Sequence, residues 1–199
     1  MLQVRKYNGV FGWTAPSSSS SISTSATATG FTSFSDFAVA NTGTNATCAG
    51  LAPTIVGTSG NDVLNGTAGN DVIYAGAGND TVYGNGGNDT ICLGPGNDVA
   101  YGGDGNDLIQ GGSGNDLIYG GSGNDTLKGR SGADTLKGQG GADTLKGQGG
   151  NDTLQGGKGD DVLRGAKGDD HLFGGSGIDY GYGGAGNDTC DLIEYSTSC

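Results

Sequence analysis

The chain has 199 residues, 45 of them glycine, and a formal net charge of −12. That acidity argues against nucleic acid as a partner, and no stretch approaches the roughly 18 consecutive apolar residues of a membrane span. So much glycine also makes the chain costly to order.

Residues 1–30 read as a Ser/Thr-rich linker or the remnant of a preceding domain. Ser17 to Ser21 is an unbroken serine run, and Ser, Thr and Ala continue to Thr29, a composition that favours flexible or extended chain. Phe11 and Trp13 fit the remnant of a β-sandwich. Arg5 and Lys6 are not followed by the roughly 7–15 apolar residues of a secretory leader. The expectation is that the chain starts inside a longer secreted protein, or that its start is misplaced. Residues 31–56 form an entry segment. Phe31 to Ala40 carries three phenylalanines and predicts one or two strands, and Asn45-Ala46-Thr47 is a glycosylation-type sequon.

From residue 57 to 191 the grammar changes. Aspartate recurs every nine residues without insertion or deletion: Asp62, Asp71, Asp80, Asp89, Asp98, Asp107, Asp116, Asp125, Asp134, Asp143, Asp152, Asp161, Asp170, Asp179 and Asp188. Removing these fifteen would take the net charge from −12 to +3, so the acidity lies in the repeat. A glycine stands two residues before each, from Gly60 to Gly186, and two residues after nearly all stands an aliphatic side chain. Three residues around that aliphatic suffice for a short strand. The six before it read as turn, with glycine where φ is positive or an ion comes close. If strands alternate between two sheets, residues eighteen apart stack, and the aspartates form two edge ladders. Carboxylates one strand spacing apart, roughly 4.8 Å, repel unless a cation lies between them. Carboxylate and carbonyl oxygens in a flexible turn suit Ca²⁺ better than Zn²⁺, Cu²⁺ or Mg²⁺. Eight aspartates on one edge and seven on the other leave thirteen gaps.

The unit Gly111-Gly112-Ser113-Gly114-Asn115-Asp116-Leu117-Ile118-Tyr119 is a complete G-G-x-G-x-D-x-U-x nonapeptide. It resembles the RTX (hemolysin-type) calcium-binding nonapeptide-repeat family. The resemblance implies an all-β fold, a right-handed parallel β-roll or β-solenoid with two repeats per turn. It also implies multiple Ca²⁺ ions as cofactor, held at the fifteen aspartates as metal ligands. Seven and a half turns would make a rod of about 35 Å. The core inside such a roll is narrow, which predicts a disordered ion-free state and folding coupled to Ca²⁺.

The repeat is not uniform. Ala75 and Leu93 replace its first glycine; Arg130, Gln139, Gln148 and Ala166 replace the second. The second position is expected to need glycine-like angles, which makes the sites near residues 130–148 the weakest. Ala100 and Gly181 thin the core, Cys190 ends it, and Gly181 predicts fraying or capping there. Residues 192–199 form a C-terminal cap. Family members exported in one step usually carry a longer terminal signal, which argues against that route.

Four cysteines, Cys48, Cys92, Cys190 and Cys199, show no C-x-x-C pair. Their even count fits an oxidising, extracellular location. Three pairings are possible; Cys48–Cys92 and Cys190–Cys199 would tie down the two ends of the roll. Stacking by eighteen puts Tyr83, Tyr101 and Tyr119 in one outward column beside Val63, Val99 and Leu117. That patch reads either as a docking surface, for the N-terminal segment, a neighbouring domain or a cell-surface glycan, or as stiffening cross-strand packing. Lys128, Lys146 and Arg164 form a column on the opposite sheet, a solvated face or a contact for acidic polymers. His171 reads as surface decoration. With no H-E-x-x-H, no G-x-S-x-G and no Cys/His pairing, the chain reads as a non-enzyme. Its role is that of a calcium-binding extracellular module. Alternatively it is the calcium-dependent tail of a secreted hydrolase or protease, or an adhesin or surface-layer module.

Overall fold

The structure, a computed structural model, describes residues 47–199 and, before them, the backbone of two strands, β1 (Gln3–Tyr7) and β2 (Val10–Thr14). These two pair antiparallel, Gln3 opposite Thr14 and Tyr7 opposite Val10. They lie within the segment read as a linker or domain remnant. The strands expected over Phe31–Ala40 and the sequon at Asn45 fall outside the described residues. The chain divides into two units, Met1–Phe37 and Ala38–Cys199.

The second unit is all-β among its described residues. It begins with β3 (Ile55–Val56), β4 (Val63–Asn65) and β5 (Val72–Tyr74). From β6 (Thr81–Gly86) to β17 (Tyr180–Ala185) every strand is six residues long, and β18 (Thr189–Asp191) and β19 (Tyr195–Thr197) end it. Even-numbered strands from β4 to β18 make an eight-stranded sheet, and odd-numbered strands from β3 to β19 a nine-stranded one. Every neighbouring pair is parallel. Leu117 lies between Val99 and Thr135, eighteen residues to either side. The result is a β-solenoid of about eight turns, two nonapeptides to the turn.

The strands are longer than the expected three residues. They run on through the glycine pair, and the turn shrinks to three residues such as 123–125. The cause is the strict phase: with no insertion anywhere, Gly121 pairs with Gly103 and Ser122 with Asp104. Backbone groups of the glycine positions thereby find partners in the turns above and below.

Between the sheets runs a column of fully buried side chains, from Ile73 through Leu127 to Leu172. Ala75 and Leu93, at first-glycine positions, turn inward and join it. Gly181 does not thin the core. A Cβ there would lie 2.6 Å from Ile193 Cδ1, so the glycine makes room for Ile193, which packs against the core. The roll is therefore capped rather than frayed. The tail also leaves the phase: β19 pairs with β17 at an offset of fifteen, Tyr195 against Tyr180. Disulfides join Cys48 to Cys92 and Cys190 to Cys199. Outward, Tyr83, Tyr101 and Tyr119 stack at 5.1 and 4.9 Å within 4° of parallel, the geometry of packing that stiffens a sheet. Among the described residues no helix is long and apolar enough to cross a membrane.

Candidate metal centre

The twelve aspartates from Asp89 to Asp188 end tight three-residue turns, Asp71 and Asp80 end the six-residue turns before β5 and β6, and the side chains of Asp71 to Asp179 are buried. Their two oxygens do different work. Each Oδ1 from Asp80 onward accepts the backbone N–H of the aspartate eighteen residues earlier, at 2.7–3.0 Å. That bond fixes the carboxylate in the gap between two turns. The Oδ2 atoms of the thirteen aspartates from Asp80 to Asp188 are buried without any hydrogen-bond partner. Thirteen orphaned oxygens match the thirteen gaps of the two ladders.

An unpaired buried carboxylate is costly. Burial pushes the carboxyls of Asp116, Asp125 and Asp161 up to about 7, and those of Asp89 and Asp152 to about 6. The backbone N–H on Oδ1 pulls each one down, and the neighbouring ladder carboxylates push it up again. The Oδ2 atoms along each edge are thus a file of buried acceptors that no protein donor meets.

The glycines shape the space around Oδ2. A Cβ built on Gly120 would lie 2.3 Å from Asp125 Oδ2 and 2.9 Å from Gly138 O. The same holds one turn on, where a Cβ on Gly138 would meet Asp143 Oδ2 at 2.2 Å and Gly156 O at 2.7 Å. The first glycine of the repeat therefore vacates a pocket on which a carboxylate oxygen and a carbonyl oxygen converge. The second glycine serves φ. Asn85, Arg130, Gln139, Gln148 and Ala166, all at that position, take φ between 75° and 91°. The expectation that the second position needs glycine-like angles holds from Gly76 onward, but the ladder runs through residues 130–148 unbroken, with Asp134, Asp143 and Asp152 placed like the rest.

Asp62 and Asp71 stand apart. Thr58 donates its N–H and hydroxyl to Asp62 Oδ2 at 2.6 and 2.9 Å, and Thr67 does the same for Asp71 at 2.7 and 2.9 Å. These threonines occupy the second-glycine position of the first two units. At the far end Glu194 Oε2 accepts the Asp179 N–H at 2.7 Å, where another ladder aspartate would otherwise sit. Glu194 is off the nine-residue phase, so periodicity could not reveal it. A second ladder was equally silent in the sequence: the Oδ1 of Asn97 accepts the Asn115 N–H at 2.7 Å, and Asn106 serves Asn124 likewise. His171 pairs with Asp191 at 2.9 Å on the surface.

No group of three or more His, Cys, Asp or Glu side chains converges among the described residues. Any ion in the ladder would draw on carboxylate and backbone carbonyl oxygens, a hard donor set that suits Ca²⁺ and offers nothing to thiophilic metals. Fold and site together define a solenoid of acidic nonapeptides with oxygen-lined gaps at both edges. The RTX calcium-binding nonapeptide repeat model matches in six segments, the last five overlapping: 56–91, 94–127, 119–154, 128–163, 147–181 and 155–190. The chain belongs to this family of calcium-binding repeats. No curated protein matches the sequence significantly.

Proposed function

We propose that this chain is an extracellular module whose roll folds when Ca²⁺ enters the gaps of the aspartate ladders. The observation that carries the reading is the set of thirteen buried, unpartnered Oδ2 atoms from Asp80 to Asp188. On this reading those thirteen carboxylates are the principal ligands. Asp62 and Asp71 contribute least, because Thr58 and Thr67 already meet their Oδ2 atoms. The 45 glycines make the ion-free chain costly to order, so binding and folding are one event. Two disulfides support an oxidising compartment. Extracellular calcium modules work at affinities of roughly 10⁻⁴–10⁻³ M. Such affinities would keep the chain unfolded inside a cell and fold it outside.

Equilibrium dialysis of the full chain against calcium tests the site assignment. The expected uptake is on the order of a dozen ions. Asp125→Asn should lower it, and Asp62→Asn should leave it unchanged. Equal loss from both variants would contradict the assignment.

A further inference from the structure

All seven lysines and arginines of the roll lie within residues 128–167. Three of them share one outward column on the nine-stranded sheet: Lys128 is in register with Lys146, and Lys146 with Arg164. Like charges directly opposite on adjacent strands repel. Among the described residues the one ion pair is His171–Asp191, so this column has no carboxylate to neutralise it. Its ends differ from its middle. Arg164 lies over the Tyr182 ring, 4.9 Å from the centroid. At the other end Lys128 is in register with Gln110, whose Oε1 accepts a hydrogen bond from Arg130 Nη2. Gln110 and Arg130 also line a cleft shared with Tyr74.

We propose that this column binds a linear anionic polysaccharide, one bearing carboxylate or sulfate groups. The inference rests on the calcium reading, because only a roll with neutralised aspartate edges would admit a polyanion. The charges stand in single file at one strand spacing, roughly 4.8 Å, which fits a polymer one chain wide better than a lipid surface. No large apolar side chain stands in the column between Gln110 and Tyr182 to enter a bilayer. At one end the exposed Tyr182 offers an aromatic surface to a sugar ring.

The test uses the full chain in saturating calcium. Fluorescence polarisation follows a labelled oligogalacturonate and a labelled chondroitin sulfate fragment, and circular dichroism checks folding. Lys128→Gln/Lys146→Gln/Arg164→Gln is compared with Lys137→Gln/Lys158→Gln/Lys167→Gln, which has the same net charge. Glutamine already stands at this strand position in Gln110 and Gln155. The expected result is binding of at least one probe, weakened about tenfold or more by the first variant and little by the second. Equal weakening, or a folded chain that binds neither probe, overturns the inference while leaving the calcium reading intact. Tighter binding of duplex DNA or phosphatidylserine vesicles, lost in the first variant, also overturns it. A chain that stays unfolded in calcium overturns the calcium reading and this inference with it.

Discussion

At the level of single residues, the two glycines that open each repeat answer to different forces. The second supplies left-handed backbone, and Gln139 supplies it under strain at φ 80°. A non-glycine residue there costs about 1–2 kcal/mol, offset by the extra entropy that glycine gives the unfolded chain, about 0.4–1 kcal/mol. Gln139→Gly should therefore stabilise the calcium-loaded roll by about 0.5–1 kcal/mol, seen as a higher urea midpoint. A lower midpoint would mean that the Gln139 side chain contributes more than its backbone costs. The first glycine supplies space. Gly120→Ala would press a methyl against Asp125 Oδ2, whereas Gly140→Ala meets nothing nearer than Gly121 O at 3.8 Å. The first variant should weaken calcium uptake and the second should not, by the same dialysis measurement. Equal uptake by both would argue against the cradle. The nine-residue phase of aspartate was plain in the sequence, but the division of labour between Oδ1 and Oδ2 was not. It depends on a backbone N–H eighteen residues away, and only the register shows which oxygen that donor reaches.

At the level of strands and ladders, parallel strands stacked at eighteen residues follow directly from an uninterrupted repeat, and the register of Leu117 with Val99 and Thr135 is that expectation realised. The ends were less legible. Thr58, Thr67 and Glu194 meet ladder groups with side chains that break the pattern, and a repeat-based reading has no handle on residues that depart from the repeat. Strand length was underestimated because glycine pairs read as turn, yet perfect phase lets them pair across turns. The ladder also carries a pH dependence. In the ion-free roll the carboxyls of Asp116, Asp125 and Asp161 titrate near 7, above the roughly 3.9 of an unfolded aspartate. Between those values the folded state holds more protons than the unfolded one, so ion-free stability is greatest at the acid end and is lost as pH rises through 7. In chelator, the β signal should grow as pH falls from about 8 to about 4.5. The calcium concentration at half-folding should fall over the same span, because protons held by the ladder carboxyls already favour the folded roll over the unfolded chain. A midpoint independent of pH would contradict this.

At the level of the whole molecule, the roll has a one-dimensional logic. Each turn touches its neighbours alone, so stability propagates along the axis and depends on both ends being closed. Cys48–Cys92 holds the entry segment to the roll, and Ile193 with Cys190–Cys199 closes the other end. Charge is organised on the same scale, with carboxylates buried along the edges and cations gathered on the sheet faces of the later turns. A core one side chain thick per strand offers little apolar burial to offset so much glycine, and on the proposed function the ladder is therefore neutralised by Ca²⁺ before the fold holds. Far-UV circular dichroism of the full chain at neutral pH, first in excess chelator and then through a calcium titration, tests that claim most directly. The account predicts a disordered spectrum in chelator and a cooperative rise of β signal as calcium is added. A full β spectrum in chelator, unchanged by calcium, would contradict it.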